Sequence, residues 1–133
     1  QVFDEYLGVG KKAHVGRSFA LTVAKATDLV RRAGGLPVLA HPAGYAPSLN
    51  VEAMVKNAAA AGVKGLEVYY PYTRHGNREV LIARLEALAR KHGLVMTGGT
   101  DFHGRANDPA PVGDMGLSRA AYQALLNAHS SGK

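Results

Sequence analysis

Apolar positions along this chain keep two periods, and stretches of one alternate with stretches of the other. From Thr22 to Ala33, the residues Ala26, Leu29, Val30 and Ala33 recur at helical spacing behind a Thr cap and stop at Gly34-Gly35, which predicts a helix. The short apolar run LPVLA at 36–40 then reads as a strand, with Pro37 near its start, where a missing N–H is tolerated. A second helix is expected to start near Ser48 or Asn50, to pass through Met54, Val55 and Ala58, and to end at Gly62, before a second strand, GLEVYY, at 65–70. The clearest helical stripe is Leu81, Leu85 and Leu88 within Asn77 to His92, supported by Glu86 and Arg90 at i,i+4 and closed by Gly93. LVMTG at 94–98 is the third strand, and Ser118 to Ala128 the last helix.

Strands separated by helical crossovers predict an α/β fold with a parallel sheet and right-handed connections, three βα units in all. Residues 1–20 differ: YLGVGKKAHVGR is Gly-rich and basic without a period, and we read 1–20 as a connecting arm to a folded body at 21–133. RANDPAPVGDMG at 105–116 reads as a loop of turn formers.

Composition narrows the chemistry. The absence of cysteine excludes thiolate metal sites, disulfides and Cys nucleophiles, and leaves six His and the carboxylates as the strong metal ligands. The net charge of +6 suits an anionic partner, but Lys and Arg are scattered without a long block, which favours an ordinary charged surface. Two of the basic pairs, Arg31-Arg32 and Arg90-Lys91, fall in the last turns of predicted helices, where cations complement the dipole. No apolar run approaches the roughly 18 residues of a bilayer span and no basic-then-apolar leader occurs, so a soluble cytoplasmic protein with no membrane partner is the expectation.

In parallel α/β folds the functional groups gather at the C-terminal ends of strands. His41-Pro42 follows the first strand; Tyr69, Tyr70 and Tyr72 end the second; Thr100, Asp101 and His103 follow the third. If Asp101 to His103 is extended, the Asp and His point to one side and Phe102 turns the other way into packing. A carboxylate with imidazoles suits a divalent metal and equally a general acid–base pair. The plainer alternative is an Asp that caps a turn beside a surface His. His41 taken alone reads as a packed residue, with Pro42 biasing it to extended geometry. Glu67, an acid inside an apolar strand, either faces the interior and orients an Arg or His by hydrogen bonding or lies at an exposed edge. The tyrosines either stack on a base or sugar or simply pack. His14, His75, His92 and His129 read as surface residues.

GGLPVLAHP, GLEVYYPY and HGLVMTGGTDFHG, in that order and spacing, resemble the C-terminal half of the PHP family, the polymerase and histidinol phosphatase superfamily, and in particular its stand-alone bacterial phosphoesterases that act on nucleotides. YLGVGKKAHVGR is similar to the arm that precedes the His-Pro strand in that family. The resemblance implies the C-terminal part of a distorted (β/α)7 barrel with two or three divalent metal ions (Mn, Zn or Fe) at the C-terminal rim, activating water against a phosphoester of a nucleotide or short oligonucleotide. It also implies His41, Asp101 and His103 as metal ligands and Arg17, in the arm, as a phosphate-binding residue.

The departures from the family are equally informative. The family opens with a His-x-His strand and draws further ligands from its N-terminal half, and no His-x-His occurs in these 133 residues. The expectation is therefore a portion of a longer enzyme, not competent alone, whose remaining ligands come from the N-terminal half of the same protein or from a second chain. The alternative is a non-catalytic phosphate- or nucleic-acid-binding domain that keeps the fold. YPYTRHGN also carries Thr73 where the family often has His, with His75 two residues on.

Overall fold

The computed structural model describes residues 2–16, 18–45, 49–73, 76–106, 108 and 110–131. Its helices are α1 (Val23–Arg32), α2 (Val51–Ala60), α3 (Arg78–Lys91) and α4 (Arg119–Ser131), and its strands β1 (Val38–Leu39), β2 (Gly65–Tyr69) and β3 (Val95–Gly98). The three strands form one parallel sheet in the order β1-β2-β3. No helix among the described residues is long and apolar enough to cross a membrane.

Each helix that follows a predicted cap begins at it, because the cap side chain accepts an N–H the first turn leaves unpaired. Thr22 accepts from Lys25 at 3.3 Å, Asn50 from Ala53 at 3.0 Å and Asn77 from Val80 at 3.1 Å. Asn50 is thus the start of α2; Ser48 lies outside the described residues.

Three elements differ from the sequence expectation. The first strand shrinks from 36–40 to two residues: the Pro37 carbonyl still accepts from Lys64 and Gly65, but after Leu39 the chain leaves the ladder toward His41. The last helix runs past Ala128 to Ser131, where the hydroxyls of Ser130 and Ser131 return to the carbonyls of Leu126 and Asn127 at 3.0 and 2.9 Å. In the arm, Phe3–Leu7 forms one π-helical turn closed by Gly8 N–H on the Phe3 carbonyl.

The core lies between the sheet and α2 and α3. Leu66 and Val68 of the central strand are buried with Val55 of α2, Leu85, Leu88 and Ala89 of α3, and Leu94. Each large aliphatic among them contributes about 1.5–3 kcal/mol relative to exposure. Glu67, between Leu66 and Val68, projects from the other face of the strand. A register shift between Glu67 and Tyr69 bulges β2 against β3. It requires a glycine at 98, since a Cβ there would lie 2.5 Å from the Tyr69 Cβ and 2.6 Å from its carbonyl oxygen. Buried Thr27 ties α1 to the end of α2, its single hydroxyl proton shared between the carbonyls of Ala24 and Ala61, 2.9 and 2.7 Å away.

Candidate metal centre at the strand ends

Among the described residues, three that are not glycine have positive φ, and one stands beyond the C-terminal end of each strand: His41 at 24° after β1, Tyr72 at 45° after β2 and Asp101 at 54° after β3. Such conformations cost about 1–3 kcal/mol each and persist where surrounding contacts over-determine them.

His41 leaves the sheet, so its N–H has no ladder partner; the Glu67 carboxylate accepts it at 2.9 Å. Its carbonyl accepts from Gly44 at 2.8 Å, closing the single 3-10 turn Pro42–Gly44. The imidazole rests on that turn, where a Cβ at Gly44 would lie 3.2 Å from Nδ1. Tyr70 and Tyr45 flank the ring at centroid distances of 4.8 and 5.6 Å, and Tyr72 lies 4.9 Å beyond Tyr70. Burial raises the Glu67 pKa; the His41 N–H and the His41 charge oppose that rise, and nearby Asp101 adds to it. Burial likewise raises the Tyr72 phenol well above its ordinary value.

Past the β2 bulge, β3 ends at Gly98 and the chain runs on to Asp101, an amino acid that tolerates left-handed backbone better than most. Its two carboxylate oxygens face two imidazoles: Oδ2 lies 3.8 Å from His41 Nε2 and Oδ1 3.9 Å from His103 Nε2. His103 is set by two further contacts. Its Nδ1 pairs with the Asp101 carbonyl at 2.6 Å, and its backbone N–H donates to Asp108 at 2.8 Å. Asp108 also accepts from Arg105 at 2.9 Å. Desolvation disfavours the charged Asp108, but the N–H groups of Arg105 and His103 outweigh it and hold the carboxyl below its usual range.

These contacts decide what the cluster can do. The Asp101 carbonyl can only accept, so the His103 Nδ1–H donates to it; in the neutral ring this leaves the Nε2 lone pair facing a carboxylate oxygen. A proton shared between them would draw the atoms to hydrogen-bond distance, about 2.7–3.2 Å. The separations of 3.8 and 3.9 Å fall beyond that and within the sum of two metal–ligand bonds, about 4.2 Å. The donor chemistry thus fits a divalent cation. The number of donors does not complete a site: among the described residues no group of three His, Asp or Glu side chains is arranged to hold a metal ion by itself.

The structure brings His41, Asp101 and His103 to one rim, though not by the backbone expected. Neither His41 nor Asp101 is extended: the His41 N–H leaves the ladder for the Glu67 carboxylate, Asp101 follows the part of β3 that faces the β2 bulge, and both have positive φ. For the same reason Phe102 does not turn into packing and is 49% exposed. Of the two readings of Glu67, interior hydrogen bonding to a His is the one observed, through the backbone of His41. Arg17 and His75 lie outside the described residues. The sequence pattern does not single out Tyr45, and in it Asp108 reads as a turn former, with no sign of its grip on His103 beyond the Asp-Pro pair at 108–109 so soon after DFHG. His92 and His129 are half-buried, not surface residues, and His129 contacts the Gly34 carbonyl at 2.8 Å. A cavity of about 740 Å³ opens at the other, N-terminal end of the strands, lined by Arg31, Gly34, Lys64, Gly93 and His129. None of the clustered chemistry lines it, so the strand ends remain the candidate site.

No family model matches the chain. Among curated proteins it is 32% identical over 114 residues to the 3′,5′-nucleoside bisphosphate phosphatase of Chromobacterium violaceum, covering 84% of this chain and 38% of that protein. It is 33% identical over 116 residues to the 5′-3′ exoribonuclease Rnm of Escherichia coli, covering 86% of this chain and 36% of that one. The chain therefore spans little more than a third of the length of these relatives. Among solved structures it is similar to a candidate metal-dependent phosphoesterase of Bifidobacterium adolescentis (TM-score 0.69, 25% identity, 96% of this chain and 43% of that one). It is also similar to an amidohydrolase of Chromobacterium violaceum solved with bound sulfate and no metal (TM-score 0.64, 27% identity, 96% and 44%).

Proposed function

We propose, from the premise that this chain belongs to the PHP superfamily, the polymerase and histidinol phosphatase superfamily, that it forms the C-terminal part of a divalent-metal phosphoesterase. The observation that carries this reading is the convergence of two imidazole Nε2 atoms on the two oxygens of Asp101. The substrate is a phosphoester of a nucleotide or short oligonucleotide, in keeping with a relative that is a nucleoside bisphosphate phosphatase and another that is an exoribonuclease. The net charge of +6 suits an anionic substrate.

His41, Asp101 and His103 hold metal at the rim. Bound divalent ions, two or three of Mn, Zn or Fe, supply Lewis acidity toward the phosphoryl oxygens and make water a competent nucleophile. Tyr70 and Tyr45 wall the His41 ring and fix its plane. Arg17 is proposed to pair with phosphate through its planar fork. Three side chains spread over two or three ions do not fill their coordination shells. The remaining ligands come from the N-terminal half of the same protein or from a second chain, and these 133 residues alone turn over no substrate.

The test is metal per chain, by elemental mass spectrometry, on the complete protein purified without chelators. The expected result is at least two ions per chain, with affinity in Asp101→Asn reduced by more than the roughly 10–100-fold typical of changes one layer further out. Unchanged metal content and turnover in D101N overturn the proposal. The incomplete ligand set favours a second reading, a non-catalytic phosphate-binding domain. Binding of a nucleoside 3′,5′-bisphosphate and a short RNA by the metal-loaded complete protein, with no phosphate or nucleotide released from either, selects that reading.

A further inference from the structure

Glu67 is the one acid on the central strand, and its position is unusual for a half-buried carboxylate. It sits between Leu66 and Val68, both fully buried, yet pairs with no cationic side chain among the described residues. One oxygen, Oε2, accepts the backbone N–H of His41 across 26 positions of sequence. The other, Oε1, lies 4.0 Å from where a Cβ on Gly99 would stand, beneath the segment that leads to Asp101. The carboxylate therefore lies between the two strand ends whose side chains meet at the rim.

The backbone it holds does not hold itself. A residue before proline is pushed toward extended geometry, and His41 instead has φ 24° and ψ 61°. Among the described residues, the other hydrogen bond to its backbone is the Gly44 N–H on the His41 carbonyl. If the N–H lost its acceptor, a half-buried donor would be left unpaired and the extended conformation would become the lower one. Relaxation of φ and ψ swings the Cα–Cβ bond, and with it Nε2, away from Asp101.

We infer that Glu67 is the positioning residue of the metal centre: it acts as a fixed acceptor that locks the His41 backbone left-handed and so aims Nε2 at Asp101, without itself binding metal or moving a proton. This rests on the metal reading of the rim, and it predicts that acceptor geometry rather than charge is what matters at position 67. A glutamine keeps an oxygen in place of Oε2; an alanine does not.

The experiment is Mn²⁺ titration calorimetry on the complete protein, wild type against Glu67→Ala and Glu67→Gln, with NMR of the metal-free forms alongside. E67A is expected to lose roughly 10–100-fold in Mn²⁺ affinity, the usual scale for removing a support of a ligand, while E67Q recovers most of it. In the metal-free protein, the His41 amide is expected to exchange slowly and to show a left-handed HN–Hα coupling in wild type and E67Q, and to lose both in E67A. If E67A does not fold, Glu67→Met, which fills similar space without an acceptor, replaces it. Three results overturn the inference: E67Q as damaged as E67A, which makes the charge the active property; wild-type Mn²⁺ affinity in E67A or E67M; or an unchanged His41 amide in either. Wild-type protein that binds no Mn²⁺ sinks the metal reading instead, and the His41 amide then decides the positioning role by itself.

Discussion

At the N-terminal ends of the strands the backbone turns left-handed at Gly34, Gly62 and Gly93; at the C-terminal ends it does so at His41, Tyr72 and Asp101. The three glycines end α1, α2 and α3 and feed β1, β2 and β3, so their task is to stop a helix, and glycine does that without steric cost. Beyond β1 and β3 the same backbone region is occupied by side chains with chemistry, and beyond β2 by one with bulk. Where only a turn is needed the chain uses glycine; where a side chain must be aimed it accepts strain and supports it with contacts drawn from elsewhere. Tyr72 is compensated by complete burial, His41 by Glu67, and Asp101 mainly by its own tolerance of that geometry.

The comparison breaks most visibly at Tyr72. Its replacement by alanine removes a fully buried ring while leaving a non-glycine residue in the left-handed region, and is expected to cost about 3–5 kcal/mol in urea unfolding. At the glycine end, Gly62→Ala puts a Cβ at φ 98° and 3.4 Å from the Thr27 hydroxyl, and should cost about 1–2 kcal/mol with no change in metal affinity. Asp101→Gly tests the opposite sign. Relief of backbone strain offsets the loss of an exposed side chain, so stability should hold or rise by up to about 1 kcal/mol while metal binding disappears. A marked fall in melting temperature in D101G would mean that Asp101 is structural.

The smallest effect serves as a control away from the strand ends. Lys91 donates to Glu52 at 2.8 Å, and that hydrogen bond, with the Lys91 charge, holds the Glu52 carboxyl below its ordinary value. A lowered carboxylate pKa stabilises the fold above the ordinary glutamate value, and that contribution is lost as pH falls through the lowered one. The small difference in melting temperature between wild type and Glu52→Gln should be level near neutral pH and shrink on acidification. Both groups are exposed, so added salt should shrink it too.

Much of the fold was legible because it is written locally. Thr22, Asn50 and Asn77 cap helices a few residues away, and the Leu85 and Leu88 stripe needs only a 3.6-residue period to be seen. The rim residues His41, Asp101 and His103 were legible for a different reason, that strand ends in parallel sheets are where chemistry collects. Their backbone was not legible. Pro42 argued for an extended His41, and the contact that reverses it comes from Glu67. The spacing of Asp101 and His103 argued for a strand-like pair, and the bulge at Glu67 and Tyr69, a property of two strands at once, removes that geometry. Phe102 was misplaced by the same assumption. The role of Asp108 was hidden because its acceptors serve backbone N–H groups, which no residue pattern records.

The shortness of β1 bears on how the molecule behaves at high concentration. An outer strand is a template on which further copies can stack, and the hazard grows with the length of the unpaired ladder. Val38–Leu39 offers two residues, with Pro37 on one side and the departing His41 turn on the other. The four-residue strand at the opposite edge has α4 packed against it. For this chain by itself, stacking of further copies on the β1 margin is thereby disfavoured, and clumping at high protein concentration should instead follow the exposed apolar side chains of the arm, such as Val9, Val15 and Phe19.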